Sequence, residues 1–154
     1  FYAKVGGDAY RVAGAFPGFH DIYKEAGVSE GYGFLDAQDG ETFRFTLELA
    51  LSSSPDVVQL ITWNDYGEGT SIEPTEEFGY RYLEMVQEAR RVMAGDAFTF
   101  TAEDLRLPLR LFNLRREHAG DAAVNKRLDE AFAALIAGDV DAAKVIIDSY
   151  GLQD

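Results

Sequence analysis

Two acids stand three residues apart in the stretch TWNDYGEG: Asp65 and Glu68. Hydrolysis of a glycosidic bond needs two carboxyl groups, one to protonate the leaving oxygen and one to activate water or attack. Their separation, ~5–5.5 Å or ~6.5–9.5 Å, selects retention or inversion in ordinary cases. Trp63 and Tyr66 flank the pair. Aromatic faces stack on the C–H faces of sugar rings, and their polar tips hydrogen-bond hydroxyls. Gly67 and Gly69 allow a tight backbone path. Asn64 either orients a sugar or satisfies loop backbone groups. The same letters also spell turn chemistry: Asp, Asn and Gly follow strands as turn formers, and acids ahead of a helix stabilise its positive end. Spacing alone leaves both readings open.

The elements around this loop explain how it is presented. Residues 57–63, VVQLITW, form a nearly continuous apolar run rich in β-branched side chains, which suits a parallel strand covered on both faces. An earlier strand is expected over 11–16, RVAGAF, stopped by Pro17 and Gly18. Residues 24–40 read as a glycine-rich loop. Their acids and Gly40 lack the spacing of a helix–loop–helix calcium loop. A helix is expected over 41–52, with Phe43, Leu47, Ala50 and Leu51 on one face, and another over 78–93, with Phe78, Tyr82, Met85, Ala89 and Met93 buried. A further strand is expected near residues 1–5. The order is βαβα, which implies parallel strands joined by crossovers, with a ligand site beyond their carboxyl ends. PGFHD and WNDYGEG both lie there, so Phe19, His20 and Asp21 join the candidates. Each of these three either lines a cleft or caps and packs its loop.

After Gly95 the pattern turns helical. One helix ends near Gly120, with Leu105, Leu109 and Phe112 on its apolar face and Pro108 in its first turn. Two more, over 121–137 and 139–149, are split by Gly138-Asp139. Ala131, Leu135 and Ile136 on one and Ala142, Val145 and Ile146 on the other are expected to pack as an αα-hairpin. No chemistry is read there. Tyr80 and Tyr82 read as helix-packing residues, and His118 as a contact to a helix end.

Composition narrows the partners. Of 154 residues 47% are hydrophobic, enough for a packed core, and the formal charge is -13. Residues 1–100 carry 17 acids against 7 bases and residues 101–154 carry 10 against 7. That balance repels phosphate backbones, so no nucleic-acid partner is expected, whereas neutral sugars carry no penalty. No apolar run approaches the ~20 residues that span a bilayer, so no membrane partner is expected. Cysteine is absent, which leaves the compartment open. Two histidines are too few for a multi-histidine metal centre unless carboxylates dominate it, and no cofactor is expected.

ITWNDYGEGTSIEP resembles the strand-and-loop signature of the related glycoside hydrolase families 71 and 99. Family 71, the α-1,3-glucanases, reads closest through WNDYGE. Family 99, the endo-α-mannosidases, reads closest through EGTSIEP. The close match covers residues 60–74, and a looser one runs from AFPGFHD to about Met93. The resemblance implies that Asp65 and Glu68 are the catalytic acids. Glu68 is then the general acid/base that protonates the leaving group. Asp65 is the general base on water in a family 71 mode, or assists attack by the sugar's own 2-hydroxyl in a family 99 mode. Asp65 agrees with family 71, where family 99 has Glu, and Gly67 stands where family 99 has His. Glu73 matches an acid of the family 99 loop and either binds sugar hydroxyls or is a surface acid ahead of Pro74.

The resemblance implies an α/β fold, the C-terminal portion of a (β/α)8 TIM-type barrel over 1–95, followed by an α-helical tail over 96–154. A complete barrel takes ~250 residues and closes only with all eight strands. The expected partners are therefore an oligosaccharide or polysaccharide, together with the remainder of the barrel or a second copy. The chain alone is expected not to be a competent catalyst. The alternative is a non-catalytic carbohydrate-binding or glycan-assembly accessory protein of the same fold.

Overall fold

A computed structural model describes residues 10–151, so the strand expected near residues 1–5 lies outside the described residues. The chain forms two compact units, 1–89 and 90–154, divided within one helix. In the first unit, β1 (Val12–Ala15) and β4 (Val57–Leu60) pair in parallel, Val12 opposite Val57 and Ala15 opposite Leu60. Helix α1 (Glu41–Ser52) is the crossover between them. β2 (Phe19–His20) and β3 (Phe34–Leu35) form a separate antiparallel pair.

Helix α1 has the bounds expected from periodicity. Phe43, Leu47 and Ala50 are buried, and Leu51 packs at the margin. Glu41, Arg44 and Glu48 form an ion-paired row on the exposed face. Gly40 opens the helix at φ +95°, and the left-handed Ser54 and then Pro55 follow its end. Thr46 ties α1 to the end of β1: its hydroxyl accepts from Phe16 N–H at 3.1 Å and lies 2.8 Å from Phe16 C=O. Helix α2 (Arg81–Ala94) starts three residues later than expected. Gly79 sits at φ +56°, and Thr75 closes a turn before it by accepting Phe78 N–H at 3.0 Å. Tyr82 is buried, whereas Met93, expected on the same stripe, is 70% exposed.

The structure corrects the barrel. Among the described residues there are two sheets of two strands each, with five α-helices, and no barrel. The α/β class holds, since α1 connects two parallel strands. Three features account for the rest. β4 ends at Leu60 because 61–73 fold back on themselves. Residues 24–40, expected as plain loop, contribute β3 in antiparallel pairing to β2. The sheet is covered on one face only: Val12 and Val57 are 50% and 41% exposed. The apolar run 57–63 is thus not a strand buried on both sides.

The core of this unit is Ala13, Ala15, Phe43, Leu47, Ala50, Ile72 and Tyr82. The Phe43 and Tyr82 rings meet edge to face at 5.2 Å. Burial, the largest influence, pushes the Tyr82 phenol up to about 12.

The second unit contains α3 (Leu107–Glu117), α4 (Ala122–Ala137) and α5 (Val140–Asp148). Its core is Leu107, Leu111, Leu114, Leu128, Ala131, Ile146 and Ile147. Leu109 and Phe112, expected inside, are exposed. The triads 105/109/112 and 107/111/114 have the same spacing and lie on opposite sides of a helix, so periodicity could not choose between them. A capping box of Thr101 and Asp104 precedes the helix. It closes a 3-10 turn over Ala102–Arg106 and starts the α-helix at Leu107, with Pro108 in its first turn. The αα-hairpin of α4 and α5 forms as expected, capped by Asp121 and Asp139 and turned by Gly138 at φ +77°. The faces differ in part: Ile136 and Val145 are exposed, and Ala143 and Ile147 are buried.

Asp104 is nearly buried and meets Lys144 Nζ at 2.5 Å. Burial is the largest influence on it and acts upward. The hydrogen bonds from Lys144 and from the Thr101 N–H and hydroxyl together outweigh burial and hold the carboxyl below its ordinary value of 3.8.

Two outcomes follow from this packing. Phe43→Ala should lower unfolding stability by about 3–5 kcal/mol, read from urea denaturation. Asp104 ionises more readily folded than unfolded, so its contribution is present above its ordinary value of 3.8 and is lost as pH falls through the folded value. Urea midpoints taken down the pH scale should therefore show the wild type losing stability to acid more steeply than Asp104→Asn.

Candidate functional site

The candidate loop is a closed structure. Beyond β4, Ile61 N–H still bonds Ala15 C=O at 2.8 Å, and the chain then turns back. Thr62 N–H donates to Thr70 C=O at 2.8 Å, and their hydroxyls lie 2.8 Å apart. Ile72 N–H donates to Thr62 C=O and Glu73 N–H to Trp63 C=O, both at 3.0 Å. These bonds zip the ends of 62–73 together. Inside, Asp65 organises the turn. Its Oδ1 accepts Glu68 N–H at 3.0 Å, its C=O accepts Thr70 N–H at 3.1 Å, and its N–H donates to Thr62 Oγ1 at 3.1 Å.

Asp65 and Glu68 are both half-buried, while Trp63 and Tyr66 are 53% and 58% exposed. Tyr66 Oη donates to Glu73 Oε1 at 2.6 Å, and that bond, before burial and the Glu73 charge, holds the Tyr66 phenol above its ordinary value. Asn64 is exposed, and its C=O accepts Tyr66 N–H at 3.1 Å.

A second segment docks on the loop. His20 N–H donates to Glu68 C=O at 2.9 Å, and Ile22 N–H to Gly67 C=O at 3.0 Å. Gly69 makes this approach possible. It has φ +64°, and a Cβ there would lie 3.1 Å from His20 C=O. Asp21 is buried and accepts the N–H groups of Tyr23 at 3.2 Å and Tyr32 at 2.5 Å, so it shapes the segment and does not face a ligand.

Tyr23 is the residue that sequence reasoning passed over. Its phenol is held above its ordinary value by the Glu68 carboxylate first, then by burial, then by Asp65, Asp21 and Tyr32. Both candidate acids thus act on one phenol. Nothing in the spacing of HDIYKEAG marks this Tyr; the two backbone bonds from 20–22 to 67–68 bring it there.

Phe19 and His20 belong to a different hollow. They line a groove of about 450 Å³ with Phe34, Asp36, Glu77 and Phe78, and Gly69 is in its wall. Asp65 and Glu68 are not among its lining residues. His20 rests edge-on against Phe34 at 5.3 Å, with Nε2 3.5 Å from Glu25 Oε1. The structure therefore gathers Trp63, Asp65, Tyr66, Glu68 and Glu73 on one closed loop and puts Phe19 and His20 in the neighbouring groove. His118 packs against Tyr150 in the second unit, at a ring distance of 5.8 Å.

Among the described residues no group of three His, Asp or Glu side chains is placed to hold a metal ion, and no helix is long and apolar enough to cross a membrane. No protein-family model, no curated protein and no solved structure matches this chain.

The turn depends on an acceptor at position 65. Asp65→Ala should speed amide exchange at Glu68 roughly tenfold, as expected for loss of one hydrogen bond. Asp65→Asn retains an oxygen acceptor and should leave that amide protected. Hydrogen exchange followed by NMR reads both.

Proposed function

We propose that the loop 62–73 binds a glycan and that Glu68 and Asp65 act as the acid and base of a glycoside hydrolase, on an α-linked glucan or mannan-type chain. The observation that carries this reading is the turn itself. It is a hydrogen-bonded frame that carries two half-buried acids, three residues apart, together with the exposed rings of Trp63 and Tyr66. Half-burial leaves both acids within reach of a ligand. Trp63 and Tyr66 offer apolar faces to sugar rings, and the Tyr66–Glu73 pair offers polar atoms to hydroxyls. The resemblance of ITWNDYGEGTSIEP to families 71 and 99 supports the same assignment. Glu68 protonates the leaving oxygen. Asp65 uses its second oxygen, Oδ2, on water or on a sugar hydroxyl, because Oδ1 holds the Glu68 amide.

That engagement of Oδ1 favours a second reading. An Asp committed to closing a turn is suited to holding a binding loop in shape, and a non-catalytic carbohydrate-binding or glycan-assembly accessory protein needs nothing more.

One set of measurements separates the readings. Trp63 is the only tryptophan in the chain, so its fluorescence reports ligands on the loop. Titration with α-1,3-glucan and α-mannan oligosaccharides should shift that emission, and product should appear by chromatography. Glu68→Gln should retain the shift and lose hydrolysis by about 100-fold or more. A shift with no product from the wild-type protein supports the accessory reading. Neither shift nor product removes both.

A further inference from the structure

The groove beside the acid loop carries chemistry of its own. It holds about 450 Å³ and combines three phenyl rings, Phe19, Phe34 and Phe78, with three carboxylates, Asp36, Asp39 and Glu77. No Lys or Arg is among its lining residues. Phe34 projects a ring that is 67% exposed. The rim shows what such a surface attracts: the Arg81 guanidinium sits 5.8 Å over the Phe78 ring and pairs with Asp39. A phenyl face next to a carboxylate already holds a cation there, through ring quadrupole and charge together. With Asp39 committed to Arg81, Phe34, Asp36 and Glu77 supply a ring and two further carboxylates on the same lining. Asp36 Oδ1 accepts Gln38 N–H at 2.5 Å. The chain's charge of -13 adds a field that draws cations toward such a hollow.

Groove and acid loop share one stretch of backbone. Gly69, which follows Glu68, is in the groove wall, and His20, which binds Glu68 C=O, lines it.

We infer that the groove receives a free amino group of the glycan, so that among α-linked glucan or mannan-type chains those carrying amino sugars bind in preference to neutral ones. This rests on the carbohydrate reading of the loop. An ammonium over Phe34, facing Asp36 and Glu77, gains both attractions, whereas a hydroxyl gains neither and an N-acetyl group has lost the charge.

Isothermal titration of the whole chain with three oligosaccharides of one linkage tests it: a glucosamine oligomer, its N-acetylated form and the glucose oligomer. The amine should bind at least tenfold tighter than the other two at low salt, and this advantage should shrink at about 0.5 M salt. Glu77→Gln and Phe34→Leu, both at exposed positions, should each weaken the amine several-fold and leave the glucose oligomer unchanged. Equal affinity for all three sugars overturns the inference and leaves the carbohydrate reading standing. An amine preference untouched by both substitutions overturns the groove as its seat. No binding of any sugar removes both.

Discussion

The parallel pairing of Val12–Ala15 with Val57–Leu60 governs the first unit. Parallel strands run the same way, so the segments that leave them start from the same edge. Residues 16–23 and 61–73 therefore emerge side by side, although about forty residues separate them in sequence. Only from that start can His20 and Ile22 donate to Glu68 and Gly67. The acid loop is thus held twice: by its own zip from Thr62 to Glu73, and by the segment that docks on its back. Gly69 lies against the His20 backbone, and a side chain there would push the two segments apart.

The same pairing explains how small the sheet is. α1 and α2 cover one face through Ala13, Ala15, Phe43 and Tyr82, while Val12 and Val57 are partly open on the other. The chain does not extend the sheet past Leu60, because Thr62 N–H turns to Thr70 C=O, and the Thr62 and Trp63 carbonyls accept from Ile72 and Glu73. A loop closed by its own hydrogen bonds and by the docked segment needs no further strand beside it to set its shape. The acids consequently keep a defined geometry on a two-stranded base.

The helical unit is stabilised differently. Leu107, Leu111 and Leu114 meet Leu128, Ala131, Ile146 and Ile147 in an apolar seam. Around it, Arg110 reaches Asp148 at 2.6 Å and Arg115 reaches Asp129 at 2.7 Å, joining α3 to α5 and to α4. Pairs this exposed contribute little singly. Asp104 is the exception. Its burial makes its partners necessary, and Lys144 and Thr101 supply them.

Local signals in the sequence determined the helices and their ends. Gly40 and Ser54 bracket α1, Asp121 and Gly138 bracket α4, and Asp139 opens α5, because caps and left-handed turns depend on neighbouring residues alone. Sequence also determined that Asp65, Glu68, Trp63 and Tyr66 share one short loop beyond a strand. Tertiary structure decided what periodicity leaves degenerate or what lies far apart in the chain. It chose Leu107/Leu111/Leu114 over Leu105/Leu109/Phe112, since two leucine stripes of equal spacing differ only in what they meet. It replaced a barrel with two small sheets, since strand partners are set by contacts across the whole chain. It brought Tyr23 beside the acids, and it gave Phe19 and His20 to a groove of their own. Those placements follow from long-range backbone pairing, which residues 60–74 do not encode by themselves.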